Sequence, residues 1–462
     1  MNVGIYKQSK RYYSERPPYF PGAIFPEYPF ADNRVDKDNE AYGSLRQMFL
    51  LLGLDKDNFG KRSWNPFGSF VFPGDTVLLK PNFMRHFNEK GHGVIGMITH
   101  GSIIRAAADY AYIALKGKGR IIIADGPMDD ADFEKIARIS GLYEIQGFYR
   151  EKAGFNIEIY DLRQEKVVKR GEKITRRETL KGDPDGYRVV GLGSISAFKK
   201  DKLDHNTFRG AECKQEVMSL HHNEARDEYL ISGTFLNADA VINIPKLKTH
   251  KRAGVTLSLK NLVGVTGDRN WLPHSSEPCG RSHAGKKCFK TAVVKALKDL
   301  IGMIRPLRDS LRQFRGVTEA TKQAGNWYGN DIMWRTIIDL SHIARYADKK
   351  GEIKNTAQRR SFVIVDGIAA GEKDGPTNPS PKPCGVLIAG FNELCVDIAC
   401  ARVMGFDPLK IPKFKNIDSC IKDIKCVSNI KEWDKNVADF KGRCLGFKPH
   451  YGWKGHIEAE DK

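Results

Sequence analysis

Compact apolar runs alternate with stretches of helical period along much of this chain. Thr76–Lys80, entered through Pro73-Gly74-Asp75 and left through Pro81-Asn82, has the length and composition of a buried strand. Arg120–Asp125, closed by Gly126-Pro127, predicts a second strand, and Asn156–Tyr160 a third. Between them Ser102–Leu115 has helical spacing with Thr99 or Ser102 as its cap, and Asp132–Gly141 predicts a shorter helix. Ahead of them, Leu45, Phe49 and Leu52 share one face of an amphipathic helix over Ala41–Leu54. Strand, helix, strand, helix, strand is the order that builds a parallel sheet with helices on its faces. The expected fold class is α/β, with mostly parallel sheets flanked by helices.

The rhythm stops at residues 163–232, which are charged and punctuated by glycine and predict an inserted segment of loops or short strands. It resumes with strands at Ala240–Ile244, Ser361–Asp366 and Gly385–Gly390, and with a helix at Leu394–Met404. The pattern divides the chain into five stretches. These are an irregular N-terminal arm with a short helix (1–74), a first α/β part (75–162), the charged insertion (163–232), a second α/β part (233–411) and a basic C-terminal tail (412–462).

Composition narrows the class. A hydrophobic share of 41% is enough for a packed core under a polar surface. The best apolar run, Met48–Leu54, falls far short of the roughly 20 residues of a membrane span. The first thirty residues carry prolines where a signal peptide has its apolar stretch. Nine cysteines, an odd number with no CxxC pair, fit a reducing cytoplasm. Lys and Arg outnumber Asp and Glu by 75 to 56, a net charge of +19, which favours anionic partners. The excess is scattered in pieces such as Lys116-Gly117-Lys118 and Lys169-Arg170, with no nucleic-acid recognition motif beside it.

The densest candidate chemistry follows the strand at Ala240–Ile244. There the chain predicts a turn holding Lys246, Lys248 and His250, then a helix carrying Lys260 and Asn261. Ligands of open α/β sheets bind at the carboxyl ends of strands, and cationic side chains there are costly to bury without an anion or a metal. Lys80 and Asn82 stand at one such strand end, Asp125 at another and Asp366 at a third, with Glu372 and Asp374 in the loop beyond. A second cluster, His274, Cys279, His283 and Cys288, has ligand types suited to zinc at spacings of no standard zinc module. Three familiar motifs fail. Gly280–Lys287 imitates a phosphate loop but ends in lysine where a hydroxyl is required, Gly191-Leu192-Gly193 lacks its third glycine, and no GxSxG elbow is present.

The run PKLKTHKRAGVTLSLKNLVG (245–264), DGI at Asp366–Ile368, Gly375-Pro376 and VDIACARVMGFDP (396–408) resembles the domain-of-unknown-function family 362 over approximately residues 75–410. Lys80-Pro81-Asn82, Thr99-His100 and Asp397 resemble further motifs of that family. Some of its members carry iron–sulfur modules, whose CxxCxxC signature this chain lacks. The spacing from His250 through Ala253-Gly254 to Lys260 is also similar to that of nickel-pincer lactate racemases. That resemblance implies His250 as a metal ligand and His100 as a proton-transfer residue. The pincer-bearing lysine has no counterpart here, Thr234 standing in its place.

These readings lead first to an enzyme, an isomerase or oxidoreductase, that binds a small carboxylate or phosphate in a Lys/His-lined crevice. His100, Lys248, His250 and Lys260 are its expected catalytic residues, and Lys80, Asn82, Lys246, Asn261 and Asp366 its expected ligand-binding residues. His250 and His283 are the expected ligands of a nickel, zinc or iron ion assisting proton or hydride transfer. Two rivals are a protein binding nucleic acid or an acidic polymer, and an electron-transfer accessory with an iron–sulfur cluster on Cys384, Cys395 and Cys400 or on Cys420, Cys426 and Cys444.

Overall fold

A computed structural model describes every residue except 172, 202, 211–213, 277–316, 416–417, 443 and 461–462. Its main sheet has ten strands: β1 (Asn2–Lys7), β2 (Thr76–Pro81), β3 (Arg120–Asp125), β4 (Ile157–Asp161), β5 (Ala240–Ile244), β6 (Lys246–His250), β7 (Gly254–Val255), β8 (Arg360–Glu372), β9 (Ser380–Gly390) and β10 (Lys425–Ser428). Across the sheet the order is β10, β1, β9, β8, β5, β2, β3, β4, with β6 beside the far half of β8 and β7 beside β6. From β8 to β4 every neighbouring pair is parallel. Strand β9 runs against both β8 and β1, and β10 runs parallel to β1.

Alternation along the strands divides the core into two layers. Val77, Leu79, Ile121, Ile123, Ile242 and Ile364 face helices α1 (Glu40–Leu51), α2 (Gly101–Leu115), α3 (Phe133–Ile139) and α4 (Leu142–Ala153). Leu78, Ile122, Val241 and Val365 face the other way, toward α5 (Leu257–Asn261), α6 (Met333–Tyr346) and α7 (Glu393–Met404). The architecture is therefore α/β, a mostly parallel sheet between two helical layers. Burial of each aliphatic side chain contributes roughly 1.5–3 kcal/mol.

Caps set the helix starts. Asp132 accepts from Lys135 N and Asn392 from Cys395 N. For α2 the cap is His100, whose Nδ1 accepts from Ser102 N at 3.2 Å, and neither Thr99 nor Ser102 takes that place. Thr99 is occupied elsewhere, its Oγ1 donating to Ile244 O and accepting from Asn82 N.

Three expectations are corrected. The N-terminal arm is not wholly irregular: β1 lies inside the sheet, with Ile5 opposite Ile388 and Val3 opposite Cys426. Two alternating apolar residues are a weak local signal, and the partners that make them a strand lie hundreds of residues away. The C-terminal tail likewise supplies β10 and buries Trp433 and Trp453. The stretch Lys246–His250 is strand rather than turn. Strand β8 runs on past Asp366 to Glu372, and this extra length offers Lys246 and Lys248 a parallel neighbour after the break at Pro245. The insertion forms two antiparallel pairs, Glu165–Arg170 with Lys173–Thr179 and Tyr187–Gly191 with Glu228–Ser232.

The arm is locked to β8 by a buried polar knot. Tyr13 Oη donates to Asp366 Oδ1 in a short hydrogen bond and accepts from Lys246 Nζ at 2.8 Å and Ala369 N at 3.0 Å. Lys246 Nζ lies 3.0 Å from Asp366 Oδ2, which also accepts from His100 N. Among the described residues, no helix is long and apolar enough to cross a membrane. Replacing Tyr13 by Phe removes one hydroxyl from an ion pair that has no water to turn to. The expected loss is about 1–3 kcal/mol in denaturant unfolding, with proteolysis of residues 1–40 becoming faster.

Candidate functional site

A cleft of about 1040 Å³ opens where the carboxyl ends of β2, β3 and β6 meet α5. The hairpin over 165–179 supplies Lys166, Lys169 and Ile174 to its wall, so the charged insertion closes one side of the crevice. The loop Pro376–Asn378 forms part of the opposite rim.

The floor is a set of polar groups that have already found partners. Lys80 Nζ sits 2.6 Å from Asp125 Oδ1, both side chains buried, and Asp125 Oδ2 accepts from Phe83 N at 2.7 Å. A side chain at Gly264 would place its Cβ 1.9 Å from Asp125 Oδ1, so only glycine permits this approach. Asn261 Nδ2 donates to Asn243 Oδ1 at 2.8 Å, and its Oδ1 accepts from Asn82 Nδ2 at 2.8 Å. Asn243 Nδ2 reaches Ser258 O, and Asp397 Oδ1 takes both Ser258 N and Ser258 Oγ. Lys413 Nζ completes the chain on Asp397 Oδ2 at 3.2 Å. Helix α5 has only five residues, too few to hold itself. This network fixes it, and with it the side chains of Lys260 and Asn261.

The wall carries the reactive candidates. His250 Nδ1 accepts from Arg252 N at 3.0 Å and from Ala253 N at 3.1 Å. A neutral His250 therefore carries its proton on Nε2. His274 has the opposite arrangement: its Nδ1 lies 2.7 Å from Leu272 O, an acceptor only, which leaves the lone pair on Nε2. Both residues line the cleft. Burial holds both imidazoles well below the usual histidine range, and the Lys260 and Arg252 charges push the same way. Lys260 is likewise held well below the lysine range, by burial and then by Arg269 and Lys248. Burial and Arg252 bring Lys251 down to about 8. Two arginines of the cleft are tied: Arg85 to Asp130 at 2.6 Å, and Arg269 to Gly126 O, Pro127 O and Asp129.

The residues expected from sequence fall in three places. Asn82, Asp125, His250, Lys260 and Asn261 line the cleft, with Lys80 directly beneath through Asp125. Lys246, Asp366 and His100 belong to the knot under the N-terminal arm, where His100 stacks on Tyr13 at 4.0 Å and burial lowers its pKa to about 3. Lys248 is fully buried, and its Nζ donates to Met97 O. Glu372 accepts from Lys448 N and Asp374 pairs with Lys90. Lys251 and Arg252 are cleft residues that the sequence does not single out, whereas His274, read there as a zinc-type ligand, lines the same cleft. The signal of the first two was position alone, directly after His250, where they resemble an ordinary charged surface.

Metal and cluster chemistry meets a poor fit in the described residues. No group of three or more His, Cys, Asp or Glu side chains among them is placed to hold a metal. Cys384 lies on β9 and Cys395 and Cys400 on α7, and burial pushes the first two thiols up to about 12 and about 11. His283, Cys279 and Cys288 lie outside the described residues. The nickel pincer does not fit: Thr234 is buried, its Oγ1 and N both donating to Asp183, and it does not line the cleft.

Removing one half of the floor's ion pair strands the other half in a dry place. Asp125→Ala is expected to cost about 3–5 kcal/mol of stability, and the double variant Lys80→Met, Asp125→Ala to recover part of it, measured by denaturant unfolding.

No solved structure matches the chain. It is similar to the thylakoid-associated protein sll1697 of Synechocystis sp., 22% identical over 345 residues that span 75% of this chain and 68% of that protein. The model of the domain of unknown function DUF362 matches residues 77–183 and 185–402, and carries the strand-end lysine and asparagine, the helix α5 and the Asp397 clamp within those bounds. By that match the chain belongs to the DUF362 family.

Proposed function

We propose that the cleft binds a small anion, a carboxylate or a phosphate, and that the protein is an enzyme acting on it by proton transfer. One observation carries this reading: Lys251 and Lys260 line the cleft with amines that neither hydrogen-bond nor ion-pair with any described residue. Every carboxylate near the floor is already engaged, so the charge that balances this wall comes from a ligand. Lys251, about half protonated at pH 8, and Arg252, whose Nε is held on Ala324 O, are the anion's charged partners. His250 Nε2–H is a neutral donor beside them, and this tautomer suits an anion's oxygen better than a metal. A His274 Nε2 lone pair on the same wall supplies the proton acceptor. Proton movement next to an anionic group describes an isomerase more closely than an oxidoreductase. The free thiols of the described cysteines fit a reducing compartment such as the cytoplasm.

Sulfate is the test ligand, because its charge does not change near neutrality. At pH 7 it is expected to raise the melting temperature, and Lys251→Met or Arg252→Met to weaken binding by about tenfold to a hundredfold, the worth of a charged hydrogen bond. Lys251 has a pKa lowered to about 8, so its proton is present at pH 7 and lost above that value. Sulfate stabilisation should accordingly fall between pH 7 and pH 9 in the parent protein and stay flat in Lys251→Met. Equal stabilisation of parent and both variants would place the anion elsewhere. Binding of single-stranded DNA that survives physiological salt would favour the nucleic-acid reading instead.

A further inference from the structure

Five lysines stand around the strand ends, and the four that are buried each have a fixed partner. Lys80 is held by Asp125, Lys246 by Asp366 and Tyr13, Lys413 by Asp397, and Lys248 by the Met97 carbonyl. Lys260 has none among the described residues, although its helix is the most heavily clamped element of the site. Its amine lines the cleft beside cationic neighbours, and no described carboxylate pairs with it. An ammonium group in such a place is costly, whereas the neutral amine is tolerated and carries a nucleophilic lone pair. That combination of desolvation and neighbouring positive charge is the one that activates lysine toward carbonyl carbon.

We infer that Lys260 forms an imine with an aldehyde or ketone that also bears a carboxylate or phosphate. The inference rests on the anion reading above, since Lys251 and Arg252 would hold the acidic group while Lys260 faces the carbonyl. The Lys260 nitrogen lone pair forms the new C–N bond as the carbonyl π pair moves to oxygen. His274 Nε2 takes a proton from the attacking nitrogen, and the oxygen takes one from solvent to give the carbinolamine, the one net proton that a protonated imine requires. Loss of that hydroxyl as water, with a proton returned to it, leaves the protonated imine, so one water is released for each imine formed. His250 Nε2–H is the donor available to the carbonyl oxygen throughout. The resulting iminium withdraws electrons from the adjacent carbon, which is the acidification that a proton-transfer enzyme requires.

The full-length protein is incubated at pH 7 with pyruvate, and separately with pyridoxal phosphate, then reduced with borohydride and mapped by peptide mass spectrometry. Each unit by which an amine's pKa is lowered raises its neutral fraction about tenfold. The expected adduct is therefore concentrated at Lys260, about tenfold or more above the exposed lysines, and is suppressed by sulfate. Lys260→Arg, checked for folding by circular dichroism, should lose it while still being stabilised by sulfate. Adducts scattered over exposed lysines, or none at Lys260 with either compound, would overturn the imine. If sulfate stabilises the parent protein and Lys260 stays unmodified, the anion site stands and the imine alone falls. If sulfate also fails, both fall together.

Discussion

A lysine carried into the interior of a sheet must find a negative partner or give up its proton, and this rule organises the whole carboxyl edge of the protein. Lys80 and Lys246 meet it with aspartates from neighbouring strands, Lys413 with an aspartate from α7, and Lys248 with a main-chain carbonyl. Each solution ties together elements that are distant in sequence. Lys80–Asp125 joins β2 to β3, Lys246–Asp366 joins β6 to β8, and Lys413–Asp397 joins the start of the tail to α7. Replacing such pairs by matched apolar residues often costs a protein nothing in stability. Their value here is geometric, because a charged pair accepts only one register and so fixes where each strand end lies.

The asparagine chain extends that logic to α5. A five-residue helix does not form by itself in water, and α5 has tertiary hydrogen bonds along its length instead. Asn82, Asn243 and Asn261 link two strand ends to it, and Asp397 takes the two hydrogen bonds from Ser258 at its start. Gly264 then lets the following turn come up against the Lys80–Asp125 pair, where no other residue fits. A small rigid helix placed in this way holds Lys260 and Asn261 in a single position, which suits a group that must meet a ligand.

Most of the sheet was legible from local pattern. Arg120–Asp125 and Ala240–Ile244 are strands over those same residues, because both are apolar on both faces and bounded by turn residues. What escaped was set by partners far away in the chain. Asn2–Lys7 becomes a strand only because β9 and β10 flank it, and Lys246–His250 only because β8 is longer than its apolar run. For the site, Asn82, His250, Lys260 and Asn261 were found because polar residues at strand ends and on an apolar helix are conspicuous. Lys251 and Arg252 are just as important to the wall but look like any surface pair, since sequence does not show which face of a turn meets a cavity. His100, Lys246 and Asp366 were grouped with the cleft for the converse reason: strand-end chemistry identified Lys246 and Asp366, a family resemblance identified His100, and the N-terminal arm that covers them left no local sign.

That arm separates two kinds of polar cluster on one sheet. The knot of Tyr13, Asp366, Lys246 and His100 is charged, close-packed and completely satisfied, and it turns its groups toward one another. The cleft has the same residue types, lysine and histidine, but Asp125 and Asp130 are engaged by Lys80 and Arg85 and none of its carboxylates pairs with Lys251 or Lys260. Nothing about the strand positions forbids an aspartate opposite Lys260, as the neighbouring pairs demonstrate three times over. Among the described residues, a fold that gives every buried lysine a partner and leaves Lys251 and Lys260 facing a cavity concentrates its unsatisfied electrostatics in one cleft. A lysine left in that state departs from the stabilising pattern of its neighbours, and such departures mark where a structure gives up stability for function.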